Sequence, residues 1–374
     1  MLPEIGYSWS EIRSGIDRIM IALTLALLFL GLVSIYSAGR GVRSSTLVYV
    51  TRQSVYAVIS LFVYVCVLRV GYRNLVRLSY WFYGVTIIIL LVLDAVGVVS
   101  KGAIRWFQIS GFSFQPAELA KVTLILFMAR FCSRHPPENI KNLAAILAFA
   151  GACVLLVLFQ PDLGSSLVYI AIIFAVLVVA GTPGKYLGGL VVLGMISLPF
   201  FWRTLRPYQK TRLIVFLDPY VDPQGAGYNV IQSRIAVGSG GLWGKGFLQG
   251  TQGRLHFLPE PHTDFIFSVF AEEFGFVGGV LVITLYACLF WRILRGAFRT
   301  KDLRAKLLCI GIVAWLWFQV MESIAMSMGL APITGLPLPL FSYGGSSLLM
   351  ISVGLALAQS VSISHVRDKF AHIS

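Results

Sequence analysis

The sequence predicts an all-α polytopic membrane protein of about ten transmembrane helices. Hydrophobic residues make up 57% of the 374 residues, charged residues only 12%, and the mean hydropathy is +0.82. Residues 19–39, 142–161 and 163–184 contain no charged side chain. Each stretch is long enough to cross about 30 Å of hydrocarbon as a helix. No strand-like alternation of apolar and polar residues indicates a β-barrel.

The apolar segments predict ten helices in one integral membrane domain, residues 1–374: 17–37, 47–68, 78–98, 114–131, 142–160, 163–182, 186–202, 264–291, 306–328 and 346–364. The first is too long for the apolar region of a signal peptide and lacks a cleavage site, so we expect it to be retained. Residues 203–263 form the one large extracytoplasmic loop, between helices 7 and 8. We expect this loop to fold onto the surface as short helices and turns.

Local residues support individual elements. Pro116 suits the first turn of the fourth helix. The fifth and sixth helices are joined by a Pro161–Asp162 turn with almost no loop. Glu322 lies inside the ninth helix, and no basic partner can be assigned to it from the sequence. The uncharged connection 329–345, rich in Pro and Gly, can lie at membrane depth against protein.

Basic residues are distributed unevenly between the two sets of connections. With ten helices both termini lie on one side, and that side carries Arg13, Arg18, Arg69, Arg73, Arg77, Arg130, Arg134, Lys141, Lys185, Arg292, Arg295, Arg299, Lys301, Arg304, Lys306, Arg367 and Lys369. The short connections opposite hold only Arg40, Arg43, Arg52, Lys101 and Arg105. This asymmetry predicts cytoplasmic termini and an outer long loop. It also explains the net charge of +14 without a nucleic-acid partner.

Asp264 is the candidate catalytic residue. It ends the segment Leu258–Asp264 and precedes a very hydrophobic helix, at its outer mouth. An ionisable side chain there marks a functional site by default, and a carboxylate at a helix N-terminus can act as a general base. A helix cap, assisted by Thr263, is the alternative reading. His262 flanks the site without metal-ligand spacing.

Other polar residues have both structural and functional readings. Glu118 and Lys121 share one face of the fourth helix and can neutralise each other, near substrate or not. Asp162 fits a turn. Arg105 lies beside aromatic residues in the loop Gly102–Phe107, as a membrane anchor or a ligand contact. No nucleotide-binding glycine loop is present, which argues against an ATP-driven pump.

One base and several cations suit a particular chemistry. A sugar diphosphate has a charge-stabilised leaving group that Arg and Lys can hold, so a single general base for the acceptor hydroxyl is sufficient. The candidates for holding the diphosphate are Arg203, Arg206, Lys210 and Arg212. No cofactor is assigned, although a divalent cation (Mg or Mn) could share this role.

Four strings resemble the SEDS family (shape, elongation, division, sporulation), in that family's order: residues 102–121, 160–166, 232–275 and 335–347. Gln249–Gln252 and the string around Ser342 resemble its elongation branch. The resemblance implies a peptidoglycan glycosyltransferase of the bacterial inner (plasma) membrane that polymerises lipid II. It implies Asp264 as the catalytic aspartate, and functional roles for Glu118, Lys121, Asp162 and Arg105. It also implies a class B penicillin-binding protein as partner, among membrane lipids.

Two other functions stay open from the sequence. A lipid II flippase would use the intramembrane residues Glu118, Lys121 and Glu322 to line a polar path. A non-catalytic scaffold would only activate the penicillin-binding protein.

Overall fold

The structure, a computed structural model, describes residues 6–39, 46–96, 98–100, 103–109, 112–254, 257–258 and 260–371. The N-terminal part comprises α1 Trp9–Gly15, α2 Arg18–Gly39, α3 Thr46–Val70, α4 Tyr72–Arg77, α5 Ser79–Val96, β1 Val98–Ser100, β2 Ala103–Ile109 and β3 Phe112–Phe114. The rest comprises α6 Pro116–Arg134, α7 Ile140–Phe159, α8 Leu163–Val179, α9 Gly184–Thr204, α10 Pro207–Leu217, α11 Ala226–Ser239, α12 Thr251–Arg254, α13 Ile266–Arg299, α14 Leu303–Ser327 and α15 Gly345–Ala371.

The predicted polytopic helical fold is confirmed. Each predicted membrane helix corresponds to one helical element, in order α2, α3, α5, α6, α7, α8, α9, α13, α14 and α15. Within the described ranges, seven helices are long and apolar enough to cross a membrane, and α5 and α8 are shorter apolar helices. The protein is therefore a multi-span membrane protein. The long connection before α13 contains α10, α11 and α12.

The core of the bundle lies around α14. This helix packs against α6, α8 and α13, and its Trp315 is completely buried. α9 is the opposite case, because it buries none of its residues. Tyr186, Leu187 and Leu190 of α9 pack against the core and are partly buried, whereas most of its other apolar side chains are exposed, as suits contact with lipid. α14 is thus central in the bundle, and α9 is peripheral.

A small antiparallel sheet replaces the irregular loop predicted around Arg105. β2 pairs with β1 through Ala103 and Ser100, and with β3 through Phe107 and Phe114. The residues of β2 are mostly β-branched or aromatic, which favours a strand over a loop. The sheet was not predicted because the two strands that pair with β2 have only three residues each. The side chain of Arg105 lies outside the described part of the structure.

α13 is broken at Gly275, so the eighth helix is not the continuous span 264–291 predicted from the sequence. Gly275 has φ +64° and ψ −163°, and the helix continues to Arg299. The amides of Lys245 and Gly246 donate to the carbonyls of Glu272 and Glu273, both at 3.0 Å. These bonds satisfy the carbonyls that the break leaves open.

The Gly-rich loop, residues 240–246, also bonds to the backbone that follows the break. The amides of Phe276 and Val277 donate to the carbonyls of Gly241 and Leu242 at 2.9 and 3.1 Å. A Cβ on Gly244 would lie 2.0 Å from the Glu273 carbonyl oxygen, and Gly244 has φ +80°. Glycine is therefore required where this loop meets the helix. The break makes residues 266–274 a short buried helix with Asp264 at its entrance.

Candidate active site

Asp264 lies in the turn that leads into α13 and is half-buried. The helix cap is Phe265, which makes no side-chain capping bond. The carboxylate lies beside the 329–345 connection, with Oδ2 3.4 Å from the point that a Cβ on Gly335 would occupy. Gly335 has φ +75°, so a glycine allows the backbone to turn at this contact. Asp264 therefore faces a neighbouring loop and does not occupy the cap position of its own helix.

Ser342 and Tyr343 hold this turn from the opposite side. The Ser342 hydroxyl donates to the carbonyl of Thr263 at 2.7 Å and accepts from the amide of Leu338 at 2.9 Å. The amide of Tyr343 donates to the carbonyl of His262 at 2.9 Å. Two successive carbonyls before Asp264 are thus fixed to one loop. Such contacts restrict the backbone that positions the carboxylate.

α3 completes the support of the turn. The His262 ring stacks on Tyr49 at 4.2 Å and meets Tyr343 edge-on at 5.7 Å. The Gln53 amide group bridges the same loop, donating to the Ser342 carbonyl at 3.3 Å and accepting from the Gly344 amide at 3.2 Å. His262, Thr263 and Ser342 therefore act on the shape of the turn.

Glu322 is an acidic neighbour of Asp264. Its charge interacts unfavourably with that of Asp264, and Thr334 lies beside it. In the part of the chain that the structure describes, neither carboxylate oxygen of Glu322 has a hydrogen-bond partner with good geometry, and only 8% of the residue is exposed. No basic residue pairs with Glu322 in that part. A buried carboxylate in this situation raises the free energy of the folded state.

Glu118 and Lys121 form a buried ion pair. The Lys121 Nζ atom lies 2.5 Å from Glu118 Oε1, and both side chains are almost fully enclosed. Nζ also donates to Gln319 Oε1 at 3.3 Å. Gln319 in turn accepts from the Trp315 indole at 2.8 Å and donates to the Pro337 carbonyl at 2.8 Å. The pair therefore connects α6, through α14, to the loop beside Asp264.

Asp162 is buried at the start of α8. It accepts from the amide and hydroxyl of Ser165 at 3.3 and 2.9 Å, and from the Gln115 side chain at 3.3 Å. The neighbouring Pro161 carbonyl accepts from Tyr208 at 2.9 Å and from Gln209 at 3.3 Å. Asp162 is thus the N-cap of α8, and the turn that contains it holds α10 through hydrogen bonds.

The four predicted cations lie at the junction of α9 and α10 and differ in their surroundings. Arg203 and Arg206 are exposed, and Lys210 is half-buried. Arg212 reaches the 329–345 connection, where its Nη1 donates to the Ile333 carbonyl at 3.2 Å. Ile333 is two residues from Gly335, the contact of Asp264. Arg212 is therefore the cation that shares a loop with the carboxylate.

A polar cavity of about 410 Å³ opens near the break in α13. Its lining consists of Ser37, Phe247, Leu248, Gln249, Gly250, Gly253, Val269 and Glu273. Val269 and Glu273 belong to the short buried helix that begins after Asp264. The Ser37 hydroxyl donates to Glu273. No cluster of three or more His, Cys, Asp or Glu side chains suited to a metal occurs among the described residues.

Several residues around the site were not identified from the sequence. Gln53, Gln319 and Tyr343 support the two loops. Glu322 was noted inside the ninth helix, but its position beside Asp264 was not predicted. Gln319 and Glu322 were recognisable in the sequence as candidates, since polar residues inside an apolar span usually have a structural or functional role. Their partners are distant in the chain, and no local pattern specifies them.

Comparison with known proteins shows relatives over almost the whole chain. A family model described as "Cell cycle protein" and named for FtsW, RodA and SpoVE matches residues 17–367. The peptidoglycan glycosyltransferase MrdB of Escherichia coli (strain K12) is 38% identical over 355 residues, covering 94% of each chain.

Solved structures are similar over the same extent. The crystal structure of the rod shape determining protein RodA of Thermus thermophilus has a TM-score of 0.71 and 32% identity, covering 95% of this chain and 98% of that one. A chain from work described as "Structural coordination of polymerization and crosslinking by a peptidoglycan synthase complex" has a TM-score of 0.81 and 34% identity. It covers 94% of this chain and 99% of the other.

Proposed function

This chain belongs to the FtsW/RodA/SpoVE (SEDS) family, and on that premise we propose how its residues carry out peptidoglycan synthesis. It is a peptidoglycan glycosyltransferase that polymerises lipid II into β-1,4-linked glycan strands. The predicted elongation type agrees with the resemblance to MrdB and RodA. The observation that carries the assignment of the catalytic residue is the immobilised turn around Asp264.

Asp264 is the general base for the acceptor. The GlcNAc 4-hydroxyl of one lipid II gives its proton to the carboxylate as its oxygen attacks the MurNAc anomeric carbon of another. The bond from that carbon to the diphosphate oxygen breaks, and undecaprenyl diphosphate leaves with the bonding electrons. A single displacement inverts the anomeric centre and gives the β-1,4 linkage. A base requires a fixed position within hydrogen-bond reach, which the contacts of Thr263 with Ser342 support.

Cations stabilise the diphosphate that leaves. Among Arg203, Arg206, Lys210 and Arg212, we assign the principal role to Arg212 because its guanidinium already contacts the loop that passes Asp264. Positive charge held in place before reaction stabilises the developing negative charge on the leaving oxygen. Arg105 and the buried Glu118–Lys121 pair support the site, the pair by fixing the loop through Gln319.

The site faces the outer side of the inner membrane, and both termini are cytoplasmic. The supporting observation is the excess of Lys and Arg in the connections on the side of the termini. The natural partner is a class B penicillin-binding protein, whose transpeptidase crosslinks the new strand. A similar chain in a peptidoglycan synthase complex supports this partnership.

The experiment uses full-length protein with its penicillin-binding partner in liposomes that contain lipid II. Wild type yields glycan polymer, and Asp264→Ala yields none while it still inserts and binds the partner. Movement of dye-labelled lipid II across the bilayer without polymer would instead establish a flippase. Polymer formed equally by wild type and Asp264→Ala would leave the chain a scaffold.

A further inference from the structure

A second pocket lies at the far end of α13 from Asp264. It has a volume of about 210 Å³ and is lined by the ends of α1, α13 and α15 and by the two residues that join α1 to α2. We call it the basic pocket, and its lining comprises Ser14, Gly15, Ile16, Asp17, Arg292, Arg295, Gly296, Arg299, Ser362, His365 and Val366. Because it lies at the opposite end of α13, it is separate from the glycosyltransferase site.

Positive charge dominates this pocket. Arg292, Arg295 and Arg299 follow each other at spacings of three and four residues, so they lie along one side of α13. The single acidic lining residue, Asp17, accepts two bonds from Arg292 at 2.9 and 2.7 Å. No carboxylate within the described ranges forms an ion pair with Arg295 or Arg299. Two guanidinium groups therefore remain to bind an external anion.

Asp17 has a second structural task. Its Oδ1 accepts the amides of Ile19 and Met20 in the first turn of α2, both at 3.1 Å. One carboxylate oxygen thus serves the helix terminus while the other serves Arg292. Because Asp17 is engaged on both sides, it fixes Arg292 against the start of α2 and is not available to neutralise Arg295 or Arg299.

The surroundings of Arg295 indicate a lipid. Trp291, Arg295 and Phe298 occupy positions i, i+4 and i+7 of α13 and share one face. Trp291 is 64% and Phe298 73% exposed. Leu25 and Phe29 are also largely exposed on the neighbouring α2. Exposed aromatic residues beside a cation are typical of the membrane interface, and the apolar face of α2 provides a path for acyl chains.

We propose that the basic pocket binds the phosphate of an anionic phospholipid, with Arg295 and Arg299 as its ligands and the acyl chains beside α2 and α13. The guanidinium fork suits two phosphate oxygens. By the charge distribution the lipid belongs to the cytoplasmic leaflet, where anionic head groups bind basic pockets between helices. The site is independent of the function proposed for Asp264.

The test measures lipid retained by purified full-length protein, with phosphatidylglycerol and phosphatidylcholine offered in mixed micelles and detected by native mass spectrometry. The variant Arg295→Gln/Arg299→Gln is compared with Lys301→Gln/Arg304→Gln, which removes one cation from the adjacent connection and one from the first turn of α14, both outside the pocket. We expect wild type to retain phosphatidylglycerol over phosphatidylcholine. The pocket variant loses roughly 30-fold in affinity, and the control changes less than about threefold.

Three results would overturn the proposal. Equal losses in the two variants would show general attraction of charge to the lipid. Displacement of phosphatidylglycerol by millimolar inorganic phosphate would show a site for the free anion. Preferential retention of undecaprenyl diphosphate at these arginines would show a polyprenyl site instead. If the double variant does not fold, Arg295→Lys/Arg299→Lys keeps both charges, and it must still retain phosphatidylglycerol.

Discussion

Two groups of buried polar residues flank the loop 329–345, and their charges are arranged in opposite ways. On one side Lys121 and Glu118 neutralise each other, and Gln319 connects them to the loop. On the other side Asp264 and Glu322 are both acidic, and Glu322 keeps two oxygens without a hydrogen-bond partner in the described part of the chain. The charges of the first group compensate each other, whereas the Glu322 carboxylate of the second group pairs with no basic residue in the described part of the chain.

The difference separates a structural role from a chemical one. A compensated pair is harmful to break and gives little chemistry while intact. A buried carboxylate without a partner, as Glu322 is in the described part of the chain, raises the free energy of the folded state and is retained where it has a chemical role. The loop between them couples the two groups, so Lys121 can influence the site without touching substrate.

The largest effect on stability is expected for Lys121→Met. Removing the ammonium leaves Glu118 as an unpaired buried charge, which lowers the free energy of unfolding by about 3–5 kcal/mol. Chemical denaturation in detergent micelles measures the change. The double variant Glu118→Gln/Lys121→Met removes both charges and should recover most of the loss. A single variant as stable as wild type would refute the structural role of the pair.

Gly244→Ala should disturb the turn of Asp264 and leave the Glu118–Lys121 pair intact. The new Cβ would meet the Glu273 carbonyl oxygen, and φ +80° disfavours a side chain, so stability falls by about 1–3 kcal/mol. The break in α13 then shifts, and polymerisation per folded molecule falls with it. Gly238→Ala is the matched control, because no atom lies within 4 Å of its added Cβ. Equal behaviour of the two variants would contradict the role assigned to the Gly-rich loop.

Ser342→Ala should have an intermediate effect. It removes the hydroxyl that donates to the Thr263 carbonyl and accepts from the Leu338 amide. The free energy of unfolding should fall by about 1–2 kcal/mol. The turn of Asp264 becomes less fixed, so the rate of polymerisation falls more than lipid II binding. Ser352→Ala is the comparison, since that hydroxyl bonds only to its own helix. A Ser342→Ala enzyme with an unchanged rate would separate the turn from catalysis.

The smallest effect is expected for Glu322→Gln, and its sign is informative. An amide removes a charge that is costly to bury and that is repelled by Asp264, so stability should rise by up to about 1 kcal/mol. The thermal unfolding midpoint measures it, with exposed Glu138→Gln as the reference substitution. A loss of stability would mean that the Glu322 carboxylate has a favourable partner, and the contrast between the two groups would fail.

The helices were predictable because their signal is local. Apolar stretches such as 19–39 determine a membrane helix by length and composition, whatever surrounds them. The small sheet and the break at Gly275 depend on other parts of the chain. Gly275 breaks α13 because the loop around Gly244 supplies backbone partners to both sides. The pattern of residues within α13 does not indicate those partners, because they lie in another part of the chain.

The candidate site divides in the same way. Asp264 could be selected from its position before an apolar helix and from the resemblance to the SEDS family. The pairing of Glu118 with Lys121 follows from their spacing on one helix face. The proximity of Glu322 to Asp264, the attachment of Arg212 at Ile333 and the basic pocket arise from helix packing. They required the structure.

The most direct test compares Asp264→Asn with Lys121→Met, measuring lipid II polymerisation per folded molecule. The amide keeps the shape of Asp264 but cannot accept the acceptor's proton, so its rate should fall about 10²–10⁴-fold at wild-type stability. Lys121→Met should lose stability, and each folded molecule should lose far less activity than Asp264→Asn because Lys121 acts on the site only through the loop. Long glycan strands made by Asp264→Asn at the wild-type rate would contradict the account.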